Sequence, residues 1–203
     1  MPFCDNREYR YFQPLTAPIN AEENGYIVSG YASTFEKYEL FEMDGVKYYE
    51  QISPDAFRNA NMADIILQYN HDGPVFARTS NKTLEVSVDD KGLFVKANLS
   101  LTSKAKSLFE DISSKMISKM SFAFVVDKDH YDAETHTRYI DSIRKVYDVS
   151  AVSIPANPGT EISVATRSYF DGVIKEEQQE LLKREALEKQ KKRIEMKLKL
   201  SEI

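Results

Sequence analysis

Short apolar runs punctuated by turn-forming residues fill most of the chain, and this pattern constrains the fold more than any other feature. Between residues 9 and 35 apolar and polar residues alternate, interrupted by Pro18 and Gly25, which predicts two half-buried strands joined by a turn. Tyr38-Glu-Leu-Phe-Glu-Met, then Asp44-Gly45, then Val46-Lys-Tyr-Tyr is a hairpin signature, because tight hairpin turns need positive φ and Asp-Gly supplies it with little strain.

Ser53-Pro54 ahead of Asp55-Ala-Phe-Arg-Asn-Ala reads as a capped short helix, with serine as N-cap and proline at the first helical position. Ile65-Ile-Leu-Gln-Tyr-Asn-His71 then reads as a buried strand that Asp72-Gly73-Pro74 should stop, placing His71 at a strand end beside a loop. Residues 84–88 and 93–99 predict strands around Asp89-Asp-Lys-Gly92, and Thr102 caps an amphipathic helix to about Ser114. Residues 120–126, 139–143 and 146–154 predict further strands.

The character changes beyond Arg167. Residues 175–203 are dense in Glu, Lys, Gln and Leu and hold neither proline nor glycine, which predicts a long charged helix. Leu181, Leu187, Ile194 and Leu198 give only a broken heptad seam. A chain of 203 residues that is 42% hydrophobic can bury one good core, so the expected organisation is one domain over residues 1–166 and a linker with a helical tail over 167–203.

The net charge of −5, with acids and bases interspersed, provides no field of one sign to hold phosphates, which argues against a nucleic-acid partner. Cys4 is the lone cysteine; without a CxxC or a nearby histidine it reads as an incidental thiol in a reducing compartment. The opening MPFCDNREYRYF lacks a basic segment followed by an apolar run, and no stretch has the apolar length of a membrane span. A soluble, intracellular protein is expected.

A serine attacks a peptide carbonyl only when a nearby base accepts its proton, and a neutral imidazole suits that work near neutrality. Of three histidines, His130 and His136 fall in Lys128-Asp-His-Tyr-Asp-Ala-Glu-Thr-His, which reads as an exposed hairpin turn. His71, after an apolar strand and before a tight loop, is the better-placed base. In Met120-Ser-Phe-Ala-Phe-Val-Val strand alternation puts Phe122, Phe124 and Val126 on one face and Ser121 and Ala123 on the other. Asp148 is the one acidic residue in Val146-Tyr-Asp-Val-Ser-Ala-Val-Ser-Ile; a carboxylate buried there would need a partner, and the far imidazole nitrogen would serve. A solvated aspartate at a strand entrance is the alternative. Asp129, His130, Asp132, Glu134 and His136 gather potential metal ligands, but their spacing matches no zinc signature and turn solvation explains them.

Gly30-Tyr-Ala-Ser-Thr-Phe, Glu50-Gln-Ile-Ser-Pro-Asp-Ala-Phe, Asn70-His-Asp, Leu99-Ser-Leu-Thr, Met120-Ser-Phe-Ala-Phe and Asp148-Val-Ser-Ala-Val-Ser-Ile-Pro-Ala-Asn-Pro occur in that order. Together they resemble the tailed-phage prohead maturation protease family of the Hong Kong type, related in fold to the herpesvirus assembly protease. The resemblance covers roughly residues 27–166. It implies an α+β fold with a mostly antiparallel, β-barrel-like core and flanking helices, to which the long charged C-terminal helix is added.

The same resemblance implies a serine endopeptidase without a cofactor, with Ser121 as nucleophile and His71 as general base. Asp148 stands where the family usually has glutamate, so its strand must approach His71 more closely. Ala123 replaces a frequent glycine, and Val75-Phe-Ala-Arg78 replaces a Gly-Arg pair; Arg78 is a candidate substrate contact, with an ordinary surface arginine as the other reading. The loop after the third triad element corresponds to Pro155-Ala-Asn-Pro158, making Ala156 and Asn157 candidate oxyanion residues. The implied substrates are scaffold, the N-terminal extension of the major capsid protein, and the protease itself, inside an assembling prohead in the bacterial host cytoplasm. The herpesvirus relationship implies a homodimer, with high concentration inside the prohead as another route to activity. The tail would bind scaffold helices, with an independently solvated helix as the other reading, and a linker near residues 163–171 would be cut later. A catalytically inactive assembly protein is the competing class.

Overall fold

Turn chemistry sets most of the strand boundaries. The computed structural model describes residues 7–12, 15–16, 25–153 and 164–201, and the chain divides into two units, Met1–Ser163 and Val164–Ile203. The strands of the first unit are β1 (Glu8–Phe12), β2 (Leu15–Thr16), β3 (Ile27–Thr34), β4 (Tyr38–Met43), β5 (Val46–Ile52), β6 (Ile66–Tyr69), β7 (Asp72–Arg78), β8 (Leu84–Val88), β9 (Gly92–Asn98), β10 (Lys119–Asp132) and β11 (Thr137–Val152). Helix α1 (Ser103–Ser113) stands between β9 and β10. Helix α2 (Val164–Ser201) makes up the second unit. Cys4 and Pro18 lie outside the described residues.

The β4–β5 hairpin is as the sequence predicts: Met43 pairs with Val46, and Asp44 and Gly45 take φ of 51° and 80°, the conformation a two-residue turn demands. Helix α1 follows the expected bounds. Thr102 caps it by accepting from Ala105 N–H at 3.1 Å, and Ala105, Leu108, Phe109 and Ile112 form its buried stripe at helical spacing.

The short helix expected after Ser53-Pro54 is instead a series of turns. Ser53, Asp55 and Phe57 carbonyls accept from the N–H three residues on, while Ser53 N–H and Ala56 O are bonded to Ile140 and Ile143 of β11. Backbone groups engaged with a neighbouring strand cannot wind into a continuous helix. Likewise, the strands expected over residues 139–143 and 146–154 are one strand, β11, and β10 continues well past Val126. Bulges at Ala123/Phe124 and between Val125 and Asp129 bend this long hairpin without ending it. The tail helix begins at Val164, so the stretch from 164 to 171 expected as linker is helical.

Two sheets build the body. One has the order β1-β10-β11-β5-β4, with β6 also paired to β11 and β7 to β6; the other runs β2-β3-β9-β8. Pairing is mostly antiparallel, but β11 runs parallel to β5 along its first residues and to β6 along its last. One apolar cluster joins both sheets and α1, including Val28, Val95, Leu67, Phe122, Val149 and Leu108.

The expected barrel is not formed: the two sheets are not closed by a hydrogen-bonded ladder. Side chains bridge strands of the larger sheet instead. Arg10 of β1 bonds both carboxylate oxygens of Glu50 on β5, three places away in the strand order. Arg10 also meets Glu8 at 2.6 Å, and Arg138 of β11 reaches Glu8 at 2.7 Å, Glu50 at 3.3 Å and Asp129 at 2.6 Å. Tyr38 of β4 adds a hydroxyl to Glu50. Arg10, Arg138, Glu8 and Glu50 are all buried. Burial opposes the charge on Arg10, yet Glu50 and Glu8 outweigh it and hold the guanidinium well above its ordinary value. Arg138 is held up against its burial in the same way by Glu8 and Glu50. A raised arginine contributes stability at every pH below the ordinary arginine range and loses it only above, so both guanidinium groups stay charged under working conditions.

Removing one charge from such a network leaves its partners buried and uncompensated. Glu50→Gln is expected to cost about 3–5 kcal/mol of unfolding free energy, read as a lower denaturant midpoint at unchanged slope. Glu39→Gln, which breaks the exposed pair with Lys47, should leave the midpoint in place. Equal midpoints for the two variants would contradict this account of the network.

Candidate active site

Ser121 lies directly across the β10–β11 ladder from Ser150, and Ala123 across from Asp148. The two-residue period of a strand therefore puts Ser121, Asp148 and Ser150 on one face. Strand β6 runs alongside β11, with Asp148 beside Ile66 and Ala151 beside Tyr69, so the turn after β6 falls just past Ala151. Asn70 N–H donates to Ala151 O there at 3.0 Å.

That turn is a two-residue one, Asn70-His71, between the paired Tyr69 and Asp72. Both central residues have positive φ, 51° and 59°, and asparagine and histidine are among the non-glycine residues that enter this region most readily. The Asn70 side chain fastens the turn to the end of β11, accepting from Ser153 N–H at 3.2 Å. Asp72-Gly73-Pro74, expected to stop regular structure, starts β7 instead. Pro74 is tolerated because β7 pairs with β6 alone and needs no donor on its outer side.

The left-handed turn folds the His71 ring over the face that carries the serine and the aspartate. His71 Nε2 is 2.6 Å from Ser121 Oγ, and Nδ1 is 2.5 Å from Asp148 Oδ1. The direct parallel pairing of β6 with β11 is what lets the short aspartate reach. Asp148 is almost fully buried and the His71 side chain is 10% exposed. Ser121 has 0% of its surface exposed. Tyr9 of β1, opposite Ala123, sets its ring edge-on to His71 at 4.6 Å between centroids.

Arg78 does not join this group. It pairs with Ile66 at the far end of the β6–β7 hairpin, and its half-exposed guanidinium holds Asp64; that hydrogen bond, reinforced by the charge of Arg78, lowers the Asp64 carboxyl below its ordinary value. Ala156 and Asn157 lie outside the described residues. The acidic, histidine-bearing hairpin end divides among separate partners: Asp129 with Arg138, His130 with Asp141, Asp132 with Thr135, and His136 with Tyr131. Among the described residues no group of three potential metal ligands converges, and no described helix is long and apolar enough to cross a membrane.

Sequence reasoning passed over Ser150, Asn70 and Tyr9. Ser150 was within reach, since it stands two residues after Asp148 and so shares its face. Tyr9 was not, because its place beside His71 depends on β1 pairing with a strand more than a hundred residues away.

An imidazole between a buried carboxylate and a serine hydroxyl can accept the hydroxyl proton and be stabilised when it does so, which is the requirement for nucleophilic acyl transfer. The chain belongs to the caudovirus prohead serine protease family, whose profile matches residues 15–173. No curated protein and no solved structure matches it. At family level it is thus a prohead peptidase of capsid maturation.

Proposed function

We propose that the chain is a serine endopeptidase in which Ser121 is the nucleophile, His71 the general base and Asp148 the residue that orients the imidazole. The observation that carries this reading is the hydrogen-bonded line from Asp148 Oδ1 through both His71 nitrogens to Ser121 Oγ. With the carboxylate accepting from Nδ1–H, Nε2 is left to take the Ser121 proton as Oγ attacks the scissile carbonyl. The imidazolium formed gives that proton to the leaving amine, and water then releases the acyl group by the same steps. Backbone donors around Ala156 and Asn157 are proposed to stabilise the oxyanion. Arg78 would contact substrate.

The proposed substrates are scaffold, the N-terminal extension of the major capsid protein, and the chain itself, cut inside the assembling prohead in the bacterial host. In this scheme residues 1–166 form the protease domain, which acts as a homodimer. Residues 167–203 engage scaffold helices, and the exposed Leu181, Leu182, Leu187, Ile194 and Met196 of α2 would supply the contact.

The competing reading, an inactive assembly protein, draws support from the full burial of Ser121. Co-expression with the capsid precursor separates the two. A protease yields shortened capsid protein of defined mass with the wild-type chain and full-length precursor with Ser121→Ala. An assembly protein leaves the precursor intact with both, and that outcome would overturn the proposal.

A further inference from the structure

We infer that Ser150 is a positioning residue for this site, an inference that rests on the roles proposed above for Ser121, His71 and Asp148. Its hydroxyl accepts from the His71 backbone N–H at 3.1 Å and donates to Asp148 Oδ1 at 3.1 Å. A hydroxyl has one proton to give, and here it goes to the same carboxylate oxygen that faces His71 Nδ1. One fully buried atom thus ties the backbone of the residue carrying the base to the group that orients it.

Each bond constrains a different freedom. The bond from His71 N–H holds the residue in its left-handed conformation, which a histidine keeps only where its surroundings fix it. The bond to Asp148 stops the carboxylate from rotating and completes the pair of donors on Oδ1. Because Ser150 faces Ser121 directly across the ladder, it fixes base and orienting group relative to the strand that carries the nucleophile. Ser150 does not touch the reacting atoms in this arrangement, so its effect passes through His71 and Asp148.

Ser150→Ala removes both bonds without adding bulk to a buried site. It is expected to lower kcat about 10- to 100-fold, the scale of a displacement of roughly 1 Å among reacting groups, with KM for a capsid-precursor peptide unchanged. Ser150→Thr keeps the hydroxyl and should recover most of the loss. The decisive comparison places Ser150→Ala in an Asp148→Ala background. The part of the effect that passes through Asp148 disappears there, so the factor is smaller than in the wild-type background, whereas a merely structural residue lowers kcat by the same factor in both. Equal factors, or an unchanged kcat in the single variant, would overturn the assignment. Ser121→Ala is assayed alongside: activity persisting in it sinks the underlying reading, while its inactivity with a fully active Ser150→Ala sinks the positioning role alone.

Discussion

Ser121→Ala is expected to lower kcat for precursor cleavage by about 10⁶-fold, the scale seen when a serine nucleophile is removed, while the protein keeps its fold. Packing around this position is carried by its neighbours: Met120 and Phe122 are buried in the core, and the Phe122 and Phe124 rings stack at 4.4 Å. Losing one buried hydroxyl, and with it the bond to His71, costs only about 1 kcal/mol. His71→Ala should produce nearly the same kinetic loss, because nucleophile and base act as a unit and neither reacts without the other. Steady-state kinetics on a precursor peptide, with a thermal melt on each variant, checks both. A folded Ser121→Ala protein that still cleaves would falsify the nucleophile assignment.

Asp148→Asn is expected to reduce kcat by about 10⁴-fold, less than loss of the serine. The substitution is nearly isosteric, so the buried site survives, but the chemistry at Nδ1 changes. An amide nitrogen facing Nδ1 would donate to it, leaving the proton on Nε2, and a protonated Nε2 cannot accept from Ser121 Oγ. The stabilising charge beside the imidazolium is lost as well. Cleavage by Asp148→Asn at the wild-type rate would remove Asp148 from the site. Asp148→Glu makes a graded companion: the wild-type contact is already 2.5 Å, so an extra methylene must displace the ring, with a loss of about 10²-fold expected.

Local signals in the sequence were sufficient wherever the structure is local. The Asp44-Gly45 hairpin, the Thr102 cap and the stripe of α1 follow from residue types within a few positions of one another. The same holds for Ser121 facing away from Phe122 and Phe124. What could not be read is what depends on long-range pairing. Asp72-Gly73-Pro74 carries every mark of a breaker, yet it opens a strand because it lies on an edge. The turns after Ser53 have a helix signature that bonds to β11 override. Glu8, Arg10, Glu50 and Arg138 lie far apart in the sequence and form a buried ionic bridge that only the strand pairing brings together. At the site, residue types and family pattern pointed to His71, Ser121 and Asp148. The tight turn that unites them needed β6 to lie parallel to β11, a pairing no spacing in the sequence announces.

Ser121 Oγ is proposed to be the atom that substrate acylates, with His71 accepting its proton. The most direct test is to quench a reaction between the protein and an aryl ester of a capsid-precursor peptide in acid, and to map the acyl mass on digested fragments. One acyl group is expected on the fragment containing Ser121, absent from Ser121→Ala and formed orders of magnitude more slowly by His71→Ala. An acyl group on another residue, or release of the peptide acid by Ser121→Ala at the wild-type rate, would contradict it.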